Sequence, residues 1–186
     1  MGRQSNAPMI ALGLLVGLLA LTEVAAGLSF ERRTVERRTV SEGAWQPYLT
    51  EVDAAIARAD VTAATRAWYD ARAIAARSGR WQALVDTADA YRRLAPVAGV
   101  RDRGASVARE LYLEALFRAR GAKSLAGVVR ATEGFETLGD RAVVAQGLRV
   151  ARGVAGRDKD TVALERLQAL TERAAAAESP STAARF

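Results

Sequence analysis

The chain has 186 residues, a formal charge of +6, and neither cysteine nor histidine. Without Cys there is no disulfide, thiolate nucleophile, iron–sulfur ligand or lipoprotein anchor; without His the commonest general base and the commonest zinc, copper and haem ligand are missing. A Ser-His-Asp or Cys-His site is therefore excluded, and the length suits one ordinary domain with appendages.

Residues 1–6 form a short tail carrying Arg3. Residues 7–28, APMIALGLLVGLLALTEVAAGL, hold a single charge, Glu23. As a helix they would extend about 33 Å, enough for a hydrocarbon core of about 30 Å. The expectation is a retained transmembrane anchor. The competing reading is a secretory signal peptide: Arg3 supplies its positive start, Met9 to Leu21 its apolar stretch, and Val24 and Ala26 the small residues before a cleavage point. Glu23 beside that point, with apolar residues resuming after it, favours the anchor. Gly13 and Gly17 are spaced for close approach of a second membrane helix. Glycine is also simply common in such helices.

Residues 29–44 are a juxtamembrane linker containing the tandem pentapeptide ERRTVERRTV at 31–40. Arg32, Arg33, Arg37 and Arg38 there are placed to meet phosphate headgroups or a partner, each at about 1 kcal/mol on an anionic leaflet. A plain charged spacer is the alternative. Counting positive charges keeps the following domain in the cytoplasm. A short tail followed by one apolar helix instead resembles a signal anchor that exports it, and the expectation is an extracytoplasmic domain on a bacterial inner membrane.

From Trp45 onward apolar residues recur at helical spacing, and no stretch alternates long enough for a strand. The first helix is expected over about 46–59, with Pro47 in its first turn. Six stripes follow: Ala67–Ala75, Trp81–Tyr91, Ala108–Ala119, Leu125–Phe135, Val143–Val154 and Ala163–Leu170. Glycines in RSGR, RGAK and LGDR mark helix ends, and Asp60, Ser124 and Asp140 read as N-caps. The longest break is expected at 95–106, with Pro96 stopping the helix before it. Short connections make neighbouring helices antiparallel. Residues 174–186 read as a mobile tail, which bounds the helical domain at 45–173. The fold class is thus all-α, a transmembrane helix followed by antiparallel helical hairpins in a short solenoid or bundle.

Residues 68–96, WYDARAIAARSGRWQALVDTADAYRRLAP, resemble a tetratricopeptide repeat. Trp68 opens its first helix, Gly79 sits in the turn, Trp81 takes the following aromatic place and Pro96 ends its second helix. Ala71, Arg72, Leu84 and Ala88 depart from the family pattern. A second unit at 108–139 has the length, with Gly127, Ala131 and Gly134 in its second helix, but lacks the tryptophan and proline. The resemblance implies a protein-binding face rather than an active site. It also implies the layout of single-span repeat proteins that accompany translocons and envelope machines; a respiratory or photosynthetic complex is an equally suitable host.

Chemistry-bearing residues are sparse. Asp86/Asp89, Glu133/Glu136 and Asp158/Asp160 are acid pairs expected to be solvated and balanced by Arg92, Arg93, Arg130 and Arg157. Asp158-Lys159-Asp160 lacks the Gly and Glu of a calcium loop. Ser124 beside Lys123 is a hydrolase dyad only in name, because sequence neighbours rarely face each other. Arginines are spread over every helix, so a solvated face outweighs single-stranded nucleic-acid binding. Tyr69 falls off its apolar stripe, and with Arg72 it forms the candidate partner surface. No cofactor, metal, catalytic residue, small-molecule substrate or nucleic acid is expected. The expected function is a non-enzymatic scaffold or accessory subunit, contacting the bilayer and the subunits of a larger membrane complex. A secreted helical adaptor is the alternative. A cytoplasm-facing module binding nucleic acid or acidic protein is the third reading.

Overall fold

The computed structural model describes residues 43–156 and 159–178, all in one compact unit that starts at Ala44 apart from Gly43. Among them are seven helices and no strand: α1 Gln46–Ala57, α2 Val61–Ser78, α3 Trp81–Val97, α4 Arg101–Gly121, α5 Leu125–Thr137, α6 Arg141–Ala155 and α7 Thr161–Glu178. The all-α expectation holds for this region. The segments 1–6 and 7–28, and the linker as far as residue 42, lie outside the described residues, as do residues 179–186. None of the described helices is long and apolar enough to cross a membrane.

The joints are shorter than the sequence suggests, and four of them share one construction. At the end of α3, the Val100 amide donates to Ala95 at 3.0 Å and the Gly99 amide donates to Pro96 at 3.3 Å. Gly99 is left-handed, with φ 70°. This paired closure satisfies the last carbonyls of the helix. It recurs with Ala59, Lys123 and Gly139 as the left-handed residue, and the residue after each one serves as N-cap of the next helix. The expected break at 95–106 therefore shrinks to three residues. Pro96 does not stop α3 but rides in its last turn, where it costs the helix one amide donor, and α4 resumes at Arg101.

Asp60 and Ser124 cap as expected, accepting from the amides of Ala63 and Gly127 at 2.9 and 3.1 Å. Asp140 makes no side-chain cap and instead accepts from Arg109 Nε at 2.8 Å. Asp160, read from the sequence only as half of an acid pair, accepts from the amide of Ala163 at 3.0 Å. The helix from Thr161 continues to Glu178, so the domain extends beyond the expected boundary at 173.

Helices touch only those one or two places along the chain, which is the pattern of a stack rather than of a closed bundle. The odd-numbered helices contact each other in sequence, while α2 and α4 do not. One hydrophobic core runs through the stack from Trp45 to Leu170. Its large members, Trp68, Leu84, Tyr112 and Phe135, come from the stripes read in the sequence. Burying each such side chain stabilises by roughly 1.5–3 kcal/mol before entropy is counted. Leu164, expected in the last stripe, is exposed instead.

Small residues set the helix spacing. A methyl on Gly134 would meet the Tyr112 ring at 2.5 Å, and one on Gly147 would meet Thr132 Oγ1 at 2.3 Å. The sequence reading placed Gly127 and Gly134 in a helix that allows close approach, and both serve that purpose against Trp81 and Tyr112. The even-numbered helices begin at Val61, Arg101 and Arg141, forty residues apart. That is wider than the about 34 residues of a tetratricopeptide unit. Trp68 lies seven residues inside α2 instead of opening it.

Candidate interaction surfaces

The odd-numbered layer carries a ladder of ion pairs between helices. Asp53 on α1 takes both Nε and Nη2 of Arg93 on α3 at 2.9 Å. Asp89 on α3 accepts from Arg130 on α5 and from the Tyr112 hydroxyl on α4, with Arg92 at 4.0 Å. Glu133 on α5 accepts from Arg166 on α7, and Glu136 from Arg173 at 2.8 and 3.0 Å. Asp86 accepts from Trp45 Nε1 and Gln46 Nε2, both at 2.9 Å. The Asp86/Asp89 and Glu133/Glu136 pairs are thus spent on holding helices together, while Asp158 lies outside the described residues. The sequence reading had Arg92 and Arg130 among the balancing charges; the other partners lie on neighbouring helices, 23 to 41 residues away.

Position on one face explains the ladder. Asp86, Asp89 and Arg93 are spaced by three and four on α3, and Glu133 and Glu136 by three on α5, so each set points one way along its helix. A shallow cleft of about 500 Å³ lies over the ladder, lined by Asp89, Arg92, Arg130, Glu133 and Arg173 among others. Its charges are largely neutralised by each other. Tyr112 is fully buried, and burial together with the Asp89 carboxylate pushes its hydroxyl well above the usual phenolic range. Glu136 likewise pushes the Arg173 guanidinium up.

Tyr69 is 58 % exposed on the solvent face of α2, as its place off the stripe suggests. Its ring meets Trp68 edge-on at 5.1 Å. Arg72 lies one turn on, its guanidinium carbon 5.5 Å from the Trp68 ring centroid. The two candidates therefore share one small patch around Trp68. Phe117 and Leu113 on α4, which the sequence reading did not single out, add exposed apolar surface. Gly13, Gly17, Arg32, Arg33, Arg37 and Arg38 lie outside the described residues.

A second cleft, of about 530 Å³, opens between α6 and the last turns of α7. Val144, Leu148 and Ala174 lie on its floor and Arg141, Arg149 and Arg152 on its rim. Among the described residues no group of acids is placed to hold a metal ion. Ser124 is occupied as the cap of α5, which accounts for it without chemistry. No family model, curated protein or solved structure matches the chain.

Proposed function

We propose that this protein is a non-enzymatic, membrane-anchored scaffold that binds and stabilises a larger membrane assembly through its helical domain. The observation that carries this reading is the stacking pattern. Seven helices that touch only near neighbours make long accessible faces around a narrow core, a form suited to partner binding. The buried polar side chains serve packing: Thr87 and Thr132 donate to main-chain oxygens one turn back at 2.7 Å. The acidic pairs serve helix-to-helix contact.

The anchor rests on residues 7–28, whose length and lack of charge suit a membrane span. The domain is placed on the extracytoplasmic side of a bacterial inner membrane, and its partners are subunits of the complex together with the lipid surface. A degenerate tetratricopeptide unit remains our reading of the hairpins, on the strength of Gly79 in the turn and Trp81 after it.

Extraction of the full chain from membranes in mild detergent, with mass measurement of the intact protein, tests the proposal. The expected result is a chain that keeps residues 7–28 and co-purifies in fixed stoichiometry with integral membrane subunits. A mature protein starting at Gly27 in the soluble fraction overturns the anchor. A membrane-bound chain that elutes alone overturns the scaffold.

A further inference from the structure

The cleft between α6 and α7 differs from the ladder cleft in one respect: Arg173 is held by Glu136, but the cations that α6 contributes meet no carboxylate among the described residues. Helix α6, RAVVAQGLRVARGVA, contains three arginines and no acid. Arg141 and Arg152 form no ion pair with any described residue, and Arg149 reaches only the amide oxygen of Gln146, at 3.1 Å through Nε. By contrast, Arg93, Arg130, Arg166 and Arg173 in the odd-numbered layer all meet acids on a neighbouring helix. Glu136, the acid that reaches this cleft, is already held by Arg173 through two bonds.

The geometry points to a specific occupant: we infer that the cleft receives an acidic amphipathic helix of a partner protein. Val144 and Leu148, one turn apart on α6, face the small side chain of Ala174 on α7, so the floor is apolar and shallow. Arg141, Arg149 and Arg152 share one flank of α6 above that floor, within a helical arc of about 80°. They extend over twelve residues, or about 16 Å of helix. A single carboxylate or phosphate headgroup reaches at most Arg149 and Arg152, which are one turn apart, and leaves Arg141 unanswered. A partner helix lying along α6 brings carboxylates to all three while its apolar stripe covers Val144 and Leu148. This inference rests on the scaffold reading and names the chemistry of one partner for it.

Binding of a labelled synthetic helix to the purified full chain in detergent tests the assignment. The probe is a peptide of about eighteen residues, with Leu and Ala on one face and Glu residues spaced three and eight apart, the reverse of the α6 arginines. Fluorescence anisotropy is expected to show binding that weakens with salt and is absent for a twin with Lys in place of Glu. Replacing Arg141, Arg149 and Arg152 with Glu, or more gently with Gln, is expected to weaken binding at least about tenfold. The control Arg66→Glu, Arg77→Glu, Arg120→Glu changes the charge equally on exposed positions of α2 and α4 and is expected to leave affinity within about threefold. Equal losses in the two Glu triples, or no binding of the Glu peptide, overturn the site. Binding of anionic lipid vesicles through the same arginines, with the peptide ignored, overturns the choice of occupant. Because membrane recovery of the full chain is measured separately, this site can fail while the scaffold reading stands.

Discussion

The indole Nε1 of Trp68 on α2 donates to the main-chain oxygen of Thr87 on α3 at 3.0 Å. The bond joins α2 to α3 in the core, where Trp68 also meets Tyr91 at 4.3 Å between ring centroids. Trp68→Phe keeps an aromatic ring but removes the donor and part of the packing volume. The Thr87 carbonyl sits in mid-helix, so it retains an intrahelical donor. The expected cost is therefore moderate, about 1–3 kcal/mol, read as a lower urea midpoint at unchanged slope.

Asp89 and Asp53 both pair with arginines, but in different surroundings. The Asp53–Arg93 pair is about half exposed on both sides, so Arg93→Ala is expected to cost less than about 1 kcal/mol. Asp89 is 19 % exposed and joins α3 to Tyr112 on α4 and Arg130 on α5. Asp89→Ala removes the acceptor from a buried hydroxyl and a cation together, at an expected cost of about 2–4 kcal/mol. Urea unfolding of the two variants at low salt separates the cases, and similar costs would contradict this account.

Tyr112 makes alkaline stability a direct readout of the same cluster. Its folded-state hydroxyl ionises well above the ordinary value of 10.0, chiefly through burial and then through Asp89. Once the pH passes about 10 the unfolded chain releases this proton and the folded chain does not, so stability falls as pH rises. The slope from this group approaches about 1.4 kcal/mol per pH unit. Tyr112→Phe is expected to be less stable at neutral pH and to lose stability less steeply above pH about 10. Unfolding series for both proteins at neutral and alkaline pH give the two slopes.

The seven-helix order was legible because the apolar stripes are long and strictly spaced, as in Leu125, Val128, Val129, Thr132 and Phe135, all buried. The joints were less legible. Gly79 and Gly139 announce left-handed residues, but Ala59 and Lys123 adopt φ 56° and 53° without any glycine to mark them. Gly121 is the last residue of α4, as the sequence suggests, but the left-handed residue that closes the helix is Lys123, two places on. Pro96 misled in the other direction, since the Gly99 closure and not the proline terminates α3. The ladder was illegible for a further reason: the partners of Asp53, Asp89, Glu133 and Glu136 are fixed by stacking between helices, which local spacing does not encode. The α6 arginines were counted only as part of a diffuse basic surface, although the lack of any acid on 141–155 was readable.

The joints supply their own stability test. No atom lies within 4 Å of a methyl added to Gly79, so Gly79→Ala isolates the backbone cost of φ 70°. A loss of about 1 kcal/mol is expected. Lys123→Gly relieves a comparable conformation, and the entropy of a more flexible unfolded chain offsets part of the gain. A rise in stability of a few tenths to about 1 kcal/mol is expected. Thermal melts of the two variants should therefore move in opposite directions. Movement in the same direction would mean that Lys123 is held by contacts that outweigh its backbone strain.

The tandem ERRTVERRTV at 31–40 separates the anchor reading from the domain reading most cleanly. Its four arginines stand just after the expected span, where cations near an anionic leaflet contribute about 1 kcal/mol each. All four precede, along the chain, the compact unit that starts at Ala44. Replacing Arg32, Arg33, Arg37 and Arg38 with Gln is expected to weaken association with anionic membranes or with the partner complex. The loss should be greatest at low salt, where electrostatics reach furthest. Circular dichroism and the urea midpoint are expected to stay unchanged. Loss of helicity in the quadruple variant would show that the pentapeptides support the fold, and the collar would then be structural rather than an attachment to lipid or partner.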